Sequence, residues 1–196
     1  MGAFFKEHSY SMVRLFLNQI VMSVFGTVLC LSTMSNQTLL IASGLLGIGM
    51  LLFIDYNYIW EIGAKDKIRI DGGRMKPMPA TGLFIAICGN IPNFLLTIAM
   101  GMGAIINTAA GQSVAMVCNP ILRLLNGMYL GIIVTFDKLI YPDGSLLINT
   151  WWWFFIITVP VIVTGFLAYF LGSKGIRISA ILGLSKAPES SNTKHY

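Results

Sequence analysis

Residues 55–93 read DYNYIWEIGAKDKIRIDGGRMKPMPATGLFIAICGNIPN, and this stretch decides the fold. It carries five of the 13 basic residues and four of the eight acidic ones, crowded between runs that hold no charge at all. Upstream, residues 15–54 contain no Asp, Glu, Lys or Arg; downstream, 77–122 and 144–173 are equally bare. A helix that crosses a bilayer needs roughly 20 apolar residues, so the three runs have room for two crossings, about two, and one. The expected fold class is all-α: a polytopic helical membrane protein with five apolar helical segments, of which four or five cross the bilayer. The segments are expected at about 13–33, 38–60, 81–106, 113–136 and 150–172, in a single bundle over 1–185, followed by a polar, disordered tail over 186–196.

Composition supports this reading. The chain is 56% hydrophobic and 11% charged, against about 25% charged in soluble domains, and its mean hydropathy is +0.75. A water-soluble domain of this composition has too little charged surface to cover itself. The net charge of +5 does not point to nucleic acid, because the basic residues flank apolar runs, where topology signals lie, rather than gathering on a water-facing element with stacking aromatics. Cys30, Cys88 and Cys118 each sit within an apolar run; an odd, unpatterned count argues against disulfides and for small buried hydrophobes. The first apolar stretch runs to about Met34 without a small-x-small site, too long for the core of a signal peptide, so it is expected to remain as the first span.

Polar residues inside the apolar segments are the candidates for function. In the first, Asn18, Gln19 and Ser23 fit interhelical hydrogen bonds of roughly 0.6–2 kcal/mol each. In the second, Gly44 to Gly49 resembles a nucleotide loop only in letters, since neither a preceding strand nor a soluble helix frames it. Ser43 and Gly47 instead have the small-xxx-small spacing of a close helix crossing. Beyond Asp55 the helix is expected to continue through an interfacial belt of Tyr56, Tyr58 and Trp60, to form a Glu61–Lys65 pair at i,i+4, and to end at Asp71-Gly72-Gly73. Lys65, Lys67, Arg69, Arg74 and Lys76 give the loop 61–76 the strongest basic excess in the chain, which assigns it and the N-terminus to the cytoplasm of a cell membrane. The same five residues are candidates for binding a partner or anionic lipid, at about 1 kcal/mol per basic group.

The third segment is interrupted by Gly89-Asn90-Ile91-Pro92-Asn93, where proline removes a backbone donor and a break is expected. The fourth is interrupted by Asn119-Pro120, Arg123 and Asn126, and carries a Gly127/Gly131 GxxxG pair. CGNIPNFLL from Cys88 and CNPILRLL from Cys118 share cysteine, asparagine, proline and leucines; coincidence explains so short a match, yet interrupted apolar segments are also the sequence pointer to a transporter's midplane site. If 113–136 crosses the bilayer, Arg123 lies near its middle at a cost of about 2.5–3.5 kcal/mol, with Asn18, Asn90, Asn93 and backbone carbonyls as candidate partners. If the segment is re-entrant, the arginine is cheap, and Lys174, Arg177, Lys186 and Lys194 fall on the same side as the basic loop. In the last segment Trp151, Trp152 and Trp153 form an aromatic anchor, and Pro160 is expected to kink the helix.

Familiar catalytic patterns are missing. The two histidines, His8 and His195, are near the termini; no HExxH or GxxxxGK[ST] occurs; and every aspartate reads as lying at or beyond a helix end. No catalytic residue, metal ligand or cofactor is assigned, and an enzyme is not expected. Two readings remain. In the first, the chain is a small transporter, channel or permease subunit, working as a homo-oligomer or beside a partner membrane subunit, with a substrate site of Arg123, Asn90, Asn93 and Asn119 that favours an anionic or carbonyl-bearing solute or a lipid headgroup. In the second it transports nothing and presents 61–76 to a partner as an accessory or assembly protein.

Overall fold

The computed structural model describes residues 2–74, 76, 78–106, 108–140 and 151–176, of which 2–4 and 137–140 are described by their backbone alone. All regular structure among them is helical: α1 (Gly2–Thr33), α2 (Gln37–Asp71), α3 (Thr81–Gly89), α4 (Ile91–Ile106), α5 (Ala109–Leu125), a 3₁₀ turn (Gly127–Tyr129), α6 (Leu130–Ile140) and α7 (Trp153–Lys174). The expected tail, Arg177, Lys186 and Lys194 lie outside the described residues.

Local chemistry sets the helix ends. Asn36 caps α2, its Oδ1 accepting from the backbone N–H of Thr38 at 3.0 Å and Leu39 at 3.3 Å, which satisfies two donors that a helix start leaves open. Thr108 does the same for α5, accepting from the N–H of Gly111 at 3.2 Å. α7 stops at Gly175, whose φ of 72° is the left-handed conformation that glycine adopts without steric cost.

α1, α2 and α7 are each long and apolar enough to cross a membrane, and two further pairs pass the same test only if each bent pair counts as one span: α3 with α4, bent by 54°, and α5 with the turn and α6, bent by 80°. The range is thus three to five apolar spans. Large apolar side chains face outward all along the bundle, Phe53, Val21 and Ile105 among them, each about two-thirds exposed. Such a surface is an aggregation hazard in water and is compatible with a membrane protein.

The contacts fix how the helices run. α1 and α2 are antiparallel: Glu7 meets Arg69 at one end and Thr33 meets Ser43 at the other. α7 is parallel to α2, with Trp60 Nε1 donating to Ile176 O at 2.7 Å and Lys67 Nζ to Lys174 O at 3.2 Å. The start of α1, the end of α2, the start of α3 and the end of α7 therefore share one end of the bundle, the basic end. α4 reaches the opposite, far end, where Gly101 packs under the Trp151 ring. α5 starts there beside α4, with Gly103 against Gly111, and runs inward. α6 then returns to the far end: Gly131 lies on Leu40 and Gly44 near the start of α2, and the Phe136 ring meets Trp153 at 5.6 Å.

The fourth segment, 113–136, for which the sequence leaves both a crossing and a re-entrant path open, is two helices and a sharp turn that enters and leaves the bundle at the same end, because Asn126-Gly127 breaks the helix where Gly127 presses onto the Ser23 carbonyl and Thr27. α2 ends at Asp71, where the sequence places the break, so within the basic stretch 61–76 Lys65, Lys67 and Arg69 are helical and only Arg74 and Lys76 follow the turn. Asp55 does not stand at a helix end. It is buried inside a helix of 35 residues, about 27 Å from its N-terminus at 1.5 Å per residue. Both Pro120 and Pro160 are accommodated within continuous helices, whereas Pro92 falls in the first turn of α4, where its missing N–H is unneeded.

Candidate functional site

The two helix breaks meet in the interior. Asn90 ends α3: its Nδ2 donates to Ala86 O at 3.0 Å and its backbone carbonyl accepts from Phe94 N–H at 3.1 Å, opening α4. From α4, Asn93 Nδ2 donates to Asn90 Oδ1 at 3.1 Å. Asn126, the residue that ends α5, donates from Nδ2 to Asn93 Oδ1 at 3.3 Å and to Leu122 O at 2.9 Å. α1 closes the chain of amides, with Gln19 Nε2 3.4 Å from Asn126 Oδ1 and 3.5 Å from Leu125 O. One turn further along α1, Ser23 Oγ donates to Leu124 O and accepts the Gly127 N–H at 2.9 Å. Gln19, Ser23, Asn90, Asn93 and Asn126 are all buried.

The ladder exists for a physical reason. A helix break frees backbone donors and acceptors, each costly to bury unpaired, and short amide side chains carry both a donor and an acceptor to satisfy them. Asn90 stands nine residues past the start of α3, about 14 Å along it.

The proposed substrate residues fall into two hydrogen-bonded pairs. Asn90 and Asn93 belong to the ladder. Arg123 and Asn119 pair with each other along α5, Arg123 Nε donating to Asn119 Oδ1 at 2.8 Å, one turn before Asn126; Asn119 is buried and Arg123 half-buried. Asn126 joins the fourth segment to the third. The signal for it was in the chain: Asn126-Gly127 is a turn dipeptide inside an apolar run, as Gly89-Asn90 is.

A second polar group adjoins the ladder. Asp55 is 1% exposed and accepts a hydrogen bond from Asn18 Nδ2 at 3.2 Å. Tyr129 lies in the 3₁₀ turn. Its hydroxyl is buried with no hydrogen-bond partner among the described residues, as is that of Tyr56.

At the basic end the five cationic candidates are largely engaged within the chain. Lys65 lies 3.9 Å from Glu61, and Arg69 lies 2.5 Å from Glu7 and 3.7 Å from Asp66. Lys67 caps the end of α7 and lines a cleft of about 330 Å³ with Asp71, Tyr169 and Lys174. Arg74 and Lys76 are exposed. Beneath them Asp66 is buried and accepts a hydrogen bond from Tyr169 Oη at 3.0 Å. Tyr169→Phe removes that donor from a buried carboxylate, and a loss of about 1–3 kcal/mol is expected, read as a lower thermal midpoint in detergent. Lys65→Gln breaks only the exposed pair, and a change within about 0.5 kcal/mol is expected.

Among the described residues no group of three or more His, Cys, Asp or Glu is arranged to hold a metal. Compared with known proteins, the chain matches no family model, no curated protein and no solved structure, so the arguments for function rest on the meeting of the two helix breaks and the polar groups gathered there.

Proposed function

We propose that the protein is a small multi-pass transporter or permease subunit whose solute site is the polar junction of Asn90, Asn93 and Asn126, flanked by Arg123 and Asn119. The observation that carries this reading is that two interrupted apolar segments, remote in sequence, meet at their interruptions through the 3.3 Å Asn126–Asn93 hydrogen bond. Interrupted helices whose broken ends face one another inside a bundle are the architecture from which transporters build midplane sites, because irregular backbone is tolerated at depth only where it is buried in protein or lines a cavity. On this reading α1, α2, α3 with α4, and α7 cross the bilayer, and α5 with α6 forms a re-entrant pair. The basic end faces the cytoplasm of a cell membrane by the positive-inside rule, together with the N-terminus and the residues that follow α7. The amides offer neutral donors and acceptors and Arg123 a fixed positive charge, which favours a small anionic or carbonyl-bearing solute, a lipid headgroup included.

The test is uptake of a panel of such solutes into proteoliposomes. The Asn93→Leu protein is expected to lose about tenfold or more in uptake, the equivalent of one good polar contact to the solute, while inserting normally. Retention of full uptake by both Asn93→Leu and Arg123→Leu proteins disposes of the site. The second reading, an accessory protein that presents the basic end to a partner subunit or to anionic lipid, is favoured by exposed Arg74 and Lys76 beside the cleft. It predicts a partner released by an Arg74→Gln/Lys76→Gln double variant that leaves the thermal midpoint unchanged.

A further inference from the structure

Among the described residues, Asp55 is the one carboxylate that is buried without an ion pair. Glu7, Glu61 and Asp66 each have an arginine or lysine in range, and among the described residues no basic side chain reaches Asp55. An ionised carboxylate in such a place is costly by several kcal/mol even after relaxation, and an acidic group that cannot find a cation takes up a proton instead. In a membrane protein an interior acidic residue of this kind is a functional-site hypothesis by default.

The surroundings say what the carboxyl takes up. From α1, Asn18 presents an amide N–H to Oδ1, and Arg14, one turn away, is engaged over the Tyr58 ring at 4.3 Å. The Tyr129 hydroxyl of the 3₁₀ turn is buried and has no hydrogen-bond partner among the described residues. From α7 the titratable group nearest along the helix is Tyr169, which is bonded to Asp66 instead. A metal cation requires several oxygen ligands; the side chain bonded to Asp55 is an amide donor, and among the described residues no group of three or more His, Cys, Asp or Glu is gathered. A proton requires no such cage. A single carboxyl also balances a single positive charge.

We propose that Asp55 is a proton-binding residue that exchanges its proton with water, with Asn18 orienting the carboxyl. A coupling of this proton to solute movement rests on the transport reading above; the binding of the proton does not.

The experiment separates the two. Infrared spectra of the purified protein in detergent at neutral pH are expected to show the carbonyl stretch of a protonated carboxylic acid in wild type and in Asp66→Asn, and to lose it in Asp55→Asn. Its absence from wild type, its survival in Asp55→Asn, or a carboxylate band in wild type that moves when choline chloride is replaced by sodium chloride each overturns the proposal. In proteoliposomes, a protonophore is expected to abolish the pH-driven uptake of wild type and to have no effect on Asp55→Asn, which retains pH-independent exchange. A wild-type protein that carries no solute but shows the Asp55-dependent band defeats the transport reading and leaves the proton site standing. Uptake without the band defeats the proton site alone.

Discussion

An Asn126→Leu protein is expected to lose about 2–4 kcal/mol of stability, because the buried amides of Asn93 and Gln19 are each left one hydrogen bond short, and with it the polar junction. Asn126 accepts from Gln19 and donates to Asn93 and to the Leu122 carbonyl, so leucine strips a donor from Asn93 Oδ1 and an acceptor from Gln19 at once. For a chain of this size each kcal/mol lowers the thermal midpoint by roughly 2–4 °C, a change that thermal unfolding in detergent resolves easily. Solute-dependent stabilisation is expected to vanish in the same variant. Asn57→Leu is the matched control: Asn57 is exposed on α2 and bonds only to Phe53 O, one turn back on its own helix, and its midpoint is expected to stay within about 2 °C of wild type. Equal losses in the two variants show that the ladder is not the organising contact.

Gly172→Leu is expected to do still more damage, because it acts on the backbone. α2 and α7 touch main chain to main chain: a methyl group on Gly172 collides with the Trp60 carbonyl and comes within 3.1 Å of Ala64 N, and one on Gly63 comes within 2.5 Å of Tyr169 O. Overpacking in a core costs typically about 1–3 kcal/mol. Here neither partner is a side chain that can swing away, so the upper end or beyond is expected, seen as loss of a monodisperse peak in detergent. Gly49 has nothing within 4 Å of the corresponding position, and Gly49→Leu is expected to leave the peak intact. The two glycines have the same chemistry and opposite consequences, and the difference is where the neighbouring helix runs.

The breaks illustrate what was legible in the chain. Pro92 announces the first, since a proline inside an apolar run removes a donor wherever it falls, and the structure has α3 end at Asn90 beside it. Pro120 announces one at the wrong place: α5 passes through it, and the helix turns six residues later at Asn126-Gly127, where contact with Ser23 and Thr27 of α1 holds the chain. Arg123 was the obvious outlier by charge. Yet the residue that bridges to Asn93 is neutral Asn126, whose importance comes from a partner 33 residues away. The burial of Asp55 is not legible from where charges begin along the chain, because α2 continues for 16 residues past it as a helix, and a buried face and an exposed face alternate along that extension.

From its letters alone the chain determines that it is built of long apolar helices, about where they start and stop, and which end of the bundle collects the basic residues. Those properties are sums over neighbouring residues: transfer free energy, capping and turn preference are all read within a few positions. The tertiary structure decided that the fourth segment returns to the end it came from, that Asn90, Asn93, Asn126 and Gln19 form one ladder, and that Asp55 faces inward to Asn18. Each of those depends on how helices are rotated and how closely they cross, which is set by pairs such as Gly172 with Trp60 and Gly127 with Ser23. Contacts between residues remote in sequence are not additive along it, and only the packed bundle brings them together.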